Sequence, residues 1–349
     1  MTQRENKMRG AFVCTLSEED WKTTRELGIY GNRFYKEGTS HKLRDIQQLS
    51  IIRDLVSMRE DDVVFFHIRG KQTIHGIYKV RKIAYFDDKN RIWNNPIEAF
   101  PYRFLFEPHP DHEYLAKYDA NIEVRSLYEL IDRGEIKSLV TLENEQNIEA
   151  RGVRKILVED AKILISLLYR DFKYRRAKQE LPFVPYNPPN NVFPLRNCIY
   201  KVGQIENAIK AVLMHELAYN PHLVRRMLLE LDANPEEIDF VNEFFIAQTT
   251  RKSIDIYIRY RNSHVLVEVK TDKVDESALE QALYYRDLLS QRSWVDAEKD
   301  EIKVVLVGKR FTDTLQDSVK KLTKVNNGVR LVRYKPLHSG TWGEFESVY

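Results

Sequence analysis

Cysteine is nearly absent from this chain. Its 349 residues include two, Cys14 and Cys198, far apart and with no CxxC pair. Neither a zinc knuckle nor a disulfide framework is suggested, and a reducing cytoplasm is the simplest setting. Long apolar runs are also missing. None reaches the roughly 20 residues of a membrane span, and the opening MTQRENKMRG has no signal-peptide apolar core. A soluble cytoplasmic protein is expected. Strong net charge is the third absence: 55 Lys and Arg stand against 52 Asp and Glu, a formal +3. Nucleic-acid binding would therefore have to come from a local basic surface, not from bulk charge. Internal repeats and low-complexity tracts are lacking.

Hydrophobic residues at 43% supply enough material for packed cores, and the length suggests two domains. The clearest break is ELPFVPYNPPNNVFPLRN, a proline- and asparagine-rich connector. Its Phe183, Tyr186 and Phe193 suggest that it packs along a surface. The expected organisation is an N-terminal domain over 1–125, a helical extension over 126–180, a linker over 181–197 and a second domain over 198–349. In the first domain GAFVCTL, DDVVFFHI, QTIHGIYKVRKIAYFD and YRFLFEP read as strands. SEEDWKTTRELG reads as a helix with Ser17 three residues before Asp20. These elements fit a small curved half-barrel. VRKILVEDAKILISLLYRDFKYRRAKQE is predicted as one helix leading to the connector. After the connector the order is two helices, three strands, then helix, strand, helix, strand. The fold class is mixed α/β, α+β overall.

SIDIYIRYRNSHVLVEVK (253–270) carries the chemistry. Strand alternation places Ile254, Ile256 and Ile258 on one face and Asp255, Tyr257 and Arg259 on the other. In the following strand Val265, Val267 and Val269 share one face, and Leu266, Glu268 and Lys270 the other. The aliphatic rows must face the same core, which sets the register. A two-residue turn at Arg261 and Asn262 puts Asp255 opposite Glu268; a four-residue turn puts it opposite Lys270. Either way three charges share one face. Two converging carboxylates repel and need a proton or cation, and hard oxygen donors suit Mg²⁺ held together with substrate phosphate. Lys270 could then orient or deprotonate a water, or stabilise charge on the phosphate. A surface ion pair is the plain alternative.

Asp255, twelve residues, then EVK resembles the motif of the PD-(D/E)XK nucleases, with SID in place of the common Gly or Pro before the Asp. The resemblance covers roughly Val202 to Lys335. It implies a restriction-endonuclease-like mixed-sheet core, with Asp255 and Glu268 as ligands of Mg²⁺ or Mn²⁺ and Lys270 assisting the water. Gln281 and Tyr285 in EQALYYRD resemble the QxxxY motif of the RecB-like branch. Four apart, they share a helical face, although they could simply flank an apolar stripe of Leu279, Leu283 and Leu288 or Leu289. The family also implies a metal-binding Glu on an earlier helix. Glu206 is the match, with Glu216 as the less favoured candidate. Arg251, Lys252, Arg259, Lys273 and Arg286 are candidate phosphate contacts or a solvated charged face.

In the first half Asp61, Asp62, Val64, Phe65, Phe66, Gly76, Ile77 and Val80 resemble the GDxVxFY…GIxxVxxxxY pattern of PUA-like domains of the EVE and YTH branch, over about residues 10–108. That resemblance implies a modified or flipped base held in an aromatic pocket. Candidate base readers are Trp21, Tyr30, Phe66 and Trp93, with Asn32 and His67 as polar readers. Trp93, in the polar RIWNNP, is the one expected to be exposed. Phe65 or Phe66 must be core, since they alternate faces. His109, Asp111 and His112 lie close together, but no fourth ligand is near and a loop suits them better than a metal site.

The combined expectation is a DNA endonuclease that resembles modification-dependent restriction enzymes: a base reader joined to a Mg²⁺-dependent phosphodiesterase, working as a homodimer if two strands are cut. A repair nuclease for mismatched, branched or single-stranded DNA shares the same residues. An inactive nuclease fold serving as a nucleic-acid-binding module is the non-enzymatic alternative. RNA as the substrate stays open.

Overall fold

Aromatic and β-branched runs build separate sheets in the two units into which the chain divides, Met1–Cys198 and Ile199–Tyr349. The computed structural model describes residues 8–35, 45–93, 98–139, 152–173, 180–190, 192–199, 204–228, 232–247, 252–324, 328–336 and 343–348. Both units mix helices and strands, as an α+β protein does.

The first unit runs β1 (Ala11–Leu16), α1 (Glu18–Leu27), β2 (Ile29–Tyr35), α2 (Asp45–Leu55), β3 (Val63–Ile68), β4 (Thr73–Phe86) and β5 (Glu98–Pro108). It continues through α3 (Glu113–Lys117), β6 (Asn121–Glu123), α4 (Tyr128–Asp132), β7 (Val153–Ile156), α5 (Val158–Lys173) and β8 (Phe193–Pro194). The sheet order is β2-β5-β4-β3-β1-β7, with β6 and β8 also on β4. Ser17 caps α1 by accepting the Asp20 N–H, and Gly28 ends it in the left-handed region at φ 61°. A Cβ on Gly28 would stand 2.5 Å from the Phe106 carbonyl oxygen, so glycine is needed there twice over. The sheet curves until its two ends approach. The Tyr30 hydroxyl on β2 lies 2.7 Å from the Gly152 carbonyl beside β7 and 3.2 Å from the Thr15 carbonyl on β1.

The predicted long helix from Val153 is two elements. VRKI forms β7 against β1, and the helix begins at Val158. The described residues of the expected helical extension over 126–180 fall within the first unit. Ala161, Leu164, Leu168 and Phe172 form the apolar stripe of α5, and it is buried with Val13, Phe65 and Ile77 in one core. The connector lies along this unit, where the Val184 and Tyr186 N–H groups donate to Glu26 and Leu27 carbonyls at 2.7 and 2.8 Å. Phe183 meets Gly28 as that packing predicts, whereas Phe193 stays exposed.

The second unit contains α6 (Glu206–Tyr219), α7 (Pro221–Leu228), β9 (Asp239–Ala247), β10 (Lys252–Tyr260), β11 (Ser263–Val269) and β12 (Lys273–Val274). Then come α8 (Glu276–Ser290), β13 (Glu301–Gly308), β14 (Arg310–Phe311), α9 (Asp313–Lys324), β15 (Val329–Pro336) and β16 (Gly343–Ser347). Its main sheet has the order β16-β15-β13-β11-β10-β9. β9, β10 and β11 form an antiparallel meander, and β11, β13 and β15 are parallel. Parallel neighbours need crossovers, and α8 and α9 supply them. β16 is absent from the sequence reading, because GEFES is short and has a single large apolar residue, the buried Phe345. Among the described residues no helix is long and apolar enough to cross a membrane.

Tyr30→Phe keeps the ring against Phe104 and removes the hydroxyl that joins the sheet ends. A loss of about 1 kcal/mol is expected, measured as a lower urea midpoint at unchanged m-value. An unchanged midpoint would show that the closure is not held there.

Candidate active site

β10 and β11 pair from Ile256↔Val267 to Tyr260↔Ser263, which leaves Arg261 and Asn262 as a two-residue turn. Arg261 takes φ 50°, the left-handed conformation that such tight turns require. Continuing the same register by one residue sets Asp255 across from Glu268, which excludes the four-residue alternative. The aliphatic rows are buried as predicted. The charged face is covered too: Tyr257 and Leu266 are buried on it, Phe244 stacks on Tyr257 at 4.4 Å, and the Tyr257 hydroxyl meets His264 Nδ1 at 2.5 Å. Asp255 and Glu268 therefore sit at the end of a buried face and not on a solvated one.

Four of the expected groups and one unexpected residue meet there. Lys270 Nζ donates to Glu268 Oε1 at 2.8 Å. Asp255 Oδ2 accepts the Val269 N–H at 2.8 Å, and Asp255 Oδ1 accepts from Lys210 Nζ at 2.5 Å. Lys210 Nζ also lies 2.8 Å from Glu206 Oε1, one turn earlier on α6. Burial, and next the charge of Asp255, push Glu268 from 4.5 up to about 7. For Lys270 burial pulls downward, but the bond to Glu268 and the charges of Glu268, Asp255 and Glu206 outweigh it, and the net shift is upward. Lys270 is thus held as an ammonium, which suits orienting a water or stabilising a phosphate and not proton abstraction.

Asp255 and Glu268 offer paired hard oxygen donors, which fit a Mg²⁺ or Mn²⁺ ion held by one or two carboxylates with substrate phosphate. The predicted three-carboxylate set differs. Among the described residues no group of three or more His, Cys, Asp or Glu is gathered for an ion, and Glu206 faces Asp255 only across Lys210. Glu216 is elsewhere. With Asn220, His222, Arg226 and Lys335 it lines a cavity of about 590 Å³ that none of the hairpin residues enters.

Gln281 Nε2 donates to the Tyr285 hydroxyl at 2.8 Å, so the pair shares a face of α8 as predicted. It is satisfied internally, and neither side chain bonds Asp255, Glu268 or Lys270. The buried stripe is Ala278, Leu279, Ala282, Tyr285 and Leu289; Leu283 and Leu288 are only half-buried. Of the basic candidates, Lys252 Nζ stands 4.1 Å over the exposed Tyr284 ring, Arg286 pairs with Asp287, and Arg251 lies outside the described residues.

The base-reading candidates of the first unit are core residues. Trp93 is buried, donates through Nε1 to Thr24 Oγ1 at 3.0 Å, and packs on Phe100 and the Arg103 guanidinium. The expected exposure fails because Ile29, Tyr85, Phe100 and Leu105 form an apolar cluster around the ring. Trp21, Tyr30 and Phe66 belong to one aromatic cluster with Tyr78, Phe104 and Phe106; Trp21 and Phe66 lie 5.1 Å apart, and Phe66 and Phe106 4.6 Å. Phe65 and Phe66 are both buried, since both faces of β3 are covered. Asn32 is buried beside Gly152, and burial lowers His67, whose Nδ1 is 3.5 Å from Thr15 Oγ1. Sequence reading missed His75 and Asp119. His75 packs at a tilt against Trp21, 5.1 Å between ring centres, and links Thr73 Oγ1 to Asp119 Oδ1, at 2.8 Å on each side. His75 pairs with Phe66 and shares its side, whereas Ile77 lies with Phe65 in the other core; the register shift between them breaks the alternation of TIHGIY, so the pattern gave no usable signal. Tyr78 completes the cluster with a buried hydroxyl that has no hydrogen-bond partner. The His109 and His112 rings lie 4.9 Å apart, tilted, in a short turn, and among the described residues no group of three or more metal-ligating side chains forms.

No protein-family model matches the chain, and no curated protein does. Among solved structures it is similar to the YTH domain of Zygosaccharomyces rouxii MRB1 protein, determined in complex with N6-methyladenosine RNA. Sequence identity is 14% and the TM-score 0.27, with 52% of this chain and 93% of that chain covered.

Glu268 also sets a pH dependence. A carboxyl raised from 4.5 to about 7 in the fold contributes stability that is full below 4.5 and is lost as pH rises through about 7. Glu268→Gln does not titrate. Its Tm relative to wild type is therefore expected to rise between about pH 5 and pH 8, followed by scanning fluorimetry. A difference that stays flat with pH would contradict the buried, repelled carboxylate.

Proposed function

We propose that residues 199–349 form a metal-dependent nuclease of the PD-(D/E)XK type and that the first unit recognises a modified or extruded base. DNA is the proposed substrate. The observation that carries the reading is the facing of Asp255 and Glu268 across one hairpin, with Lys270 on Glu268. A bound Mg²⁺ or Mn²⁺ would supply Lewis-acid activation of the phosphodiester and of water. Asp255 and Glu268 would hold it, and the Lys270 ammonium would orient the nucleophile or stabilise charge on the phosphate. Gln281 and Tyr285 act through each other in positioning α8 beside β11. A homodimer would provide two active sites for two strands.

Base recognition by the first unit rests on the Trp21, Tyr30, Phe66 and Tyr78 cluster, with His75 and Asp119 as its polar edge. Aromatic faces can stack on a base, and these rings are packed on one another, so the base would have to displace one of them. The burial of these side chains, and of Trp93, favours a second reading in which the substrate is selected by structure: mismatched, branched or single-stranded DNA cut by the same hairpin.

The test incubates wild type and Lys270→Ala with Mg²⁺ and matched plasmids, unmodified or carrying 5-methylcytosine, 5-hydroxymethylcytosine or N6-methyladenine, alongside mismatched and single-stranded oligonucleotides. Cleavage by wild type that falls about 100-fold or more in Lys270→Ala is expected. Selective cutting of one modified plasmid supports base recognition, and cutting only of mismatched or single-stranded DNA supports the second reading. No cleavage of any substrate, or equal cleavage by the variant, defeats the nuclease assignment.

A further inference from the structure

Lys210 is the least expected charge in the second unit. It interrupts AIKAVLM, a stretch of α6 in which every residue is buried. Its side chain is 5% exposed. A buried ammonium is costly unless it is paired and hydrogen-bonded. Its partners are Glu206 Oε1 at 2.8 Å and Asp255 Oδ1 at 2.5 Å. The other Asp255 oxygen accepts the Val269 N–H. Both Asp255 oxygens are therefore engaged, one by backbone and one by Lys210. With all groups ionised, three carboxylates (Glu206, Asp255, Glu268) face two ammonium groups (Lys210, Lys270), which leaves one negative charge.

A carboxylate oxygen has a second lone pair, so the conflict is one of charge: a divalent ion on Asp255 Oδ1 would stand beside the Lys210 ammonium, and two cations at that distance in a buried site repel. The Val269 bond is part of the strand end and holds Oδ2 in place. Oδ1 is held by a side chain on four rotatable bonds, and that side chain has a second acceptor in Glu206. We propose that Lys210 is the resident counter-cation of this site: it keeps Asp255 and Glu206 ordered without metal, and a divalent ion binds by displacing its ammonium from Asp255. The proposal rests on the metal-dependent reading above. Metal affinity is then a competition, weakened by an internal cation already in place. After displacement the Lys210 ammonium retains Glu206 as its partner, so no buried charge is stranded.

The test measures Mn²⁺ binding without substrate, by electron paramagnetic resonance of free Mn²⁺, for wild type, Lys210→Met, Lys210→Gln and Glu268→Gln. Melting curves with and without Mn²⁺ accompany it. Both Lys210 variants are expected to bind Mn²⁺ about tenfold or more tightly than wild type, since a positive charge has left the site. They should also melt lower without metal and gain more from it. Lys210→Gln keeps a polar end, so it reports even if Lys210→Met folds poorly. Glu268→Gln should bind weakest. Wild type and Lys210 variants binding equally, or the variants binding more weakly, would overturn the competition and leave the metal reading standing. No Mn²⁺ binding by any protein would overturn both.

Discussion

The register of β10 against β11 is the constraint on which the candidate site depends. The two aliphatic rows fill one core, and strand side chains alternate with a period of two. A slip of one residue would drive Asp255 into the row of Ile254 and Ile256 and expose that row's partners. The two-residue turn at Arg261 and Asn262 removes the remaining freedom. A carboxylate from each strand then arrives at the same sheet end, with Lys270 two residues beyond Glu268. Packing thus places the charges: the apolar rows determine where Asp255, Glu268 and Lys270 stand.

Burial gives those charges their properties. The charged face is covered by Tyr257, Phe244 and Leu266, so Glu268 loses water and feels Asp255 at close range. Neighbouring ammonium groups offset that repulsion. Lys270 serves Glu268, and Lys210 serves Asp255 and Glu206. The same logic recurs in the first unit, where His75 and Asp119 satisfy each other inside an aromatic cluster. These buried charged groups come in linked sets, because an isolated one would cost far more than a hydrogen bond returns.

Position along α6 decides which glutamate stands near Asp255. Glu206 and Lys210 are four apart and share a face of α6. Glu216, ten residues from Glu206, stands about 80° around the helix axis from it and about 15 Å further along, and it lines a cavity with Asn220 and His222. Fold similarity alone would not choose between them, since function belongs to the site and not to the scaffold. The choice follows from where Lys210 points.

Local pattern made much of this protein legible before any coordinates. Strands β1, β3, β4 and β5 of the first sheet and β9, β10, β11, β13 and β15 of the second, the cap at Ser17, the packed connector, the shared face of the hairpin charges and the Gln281–Tyr285 pair all follow from periodicities of two or four and from turn chemistry. What failed was long-range. Val153–Ile156 became a strand because β1 had a free side to pair with, Trp93 was buried by residues from β2, β4 and β5, and β16 formed only because β15 offered an edge. Lys210 lies 45 residues from Asp255, and no spacing rule links them. The sequence alone determined which residues share a face, because neighbours along a strand or helix obey fixed geometry. Only the tertiary structure decided which faces meet, because the partners that cover a face come from elsewhere in the chain.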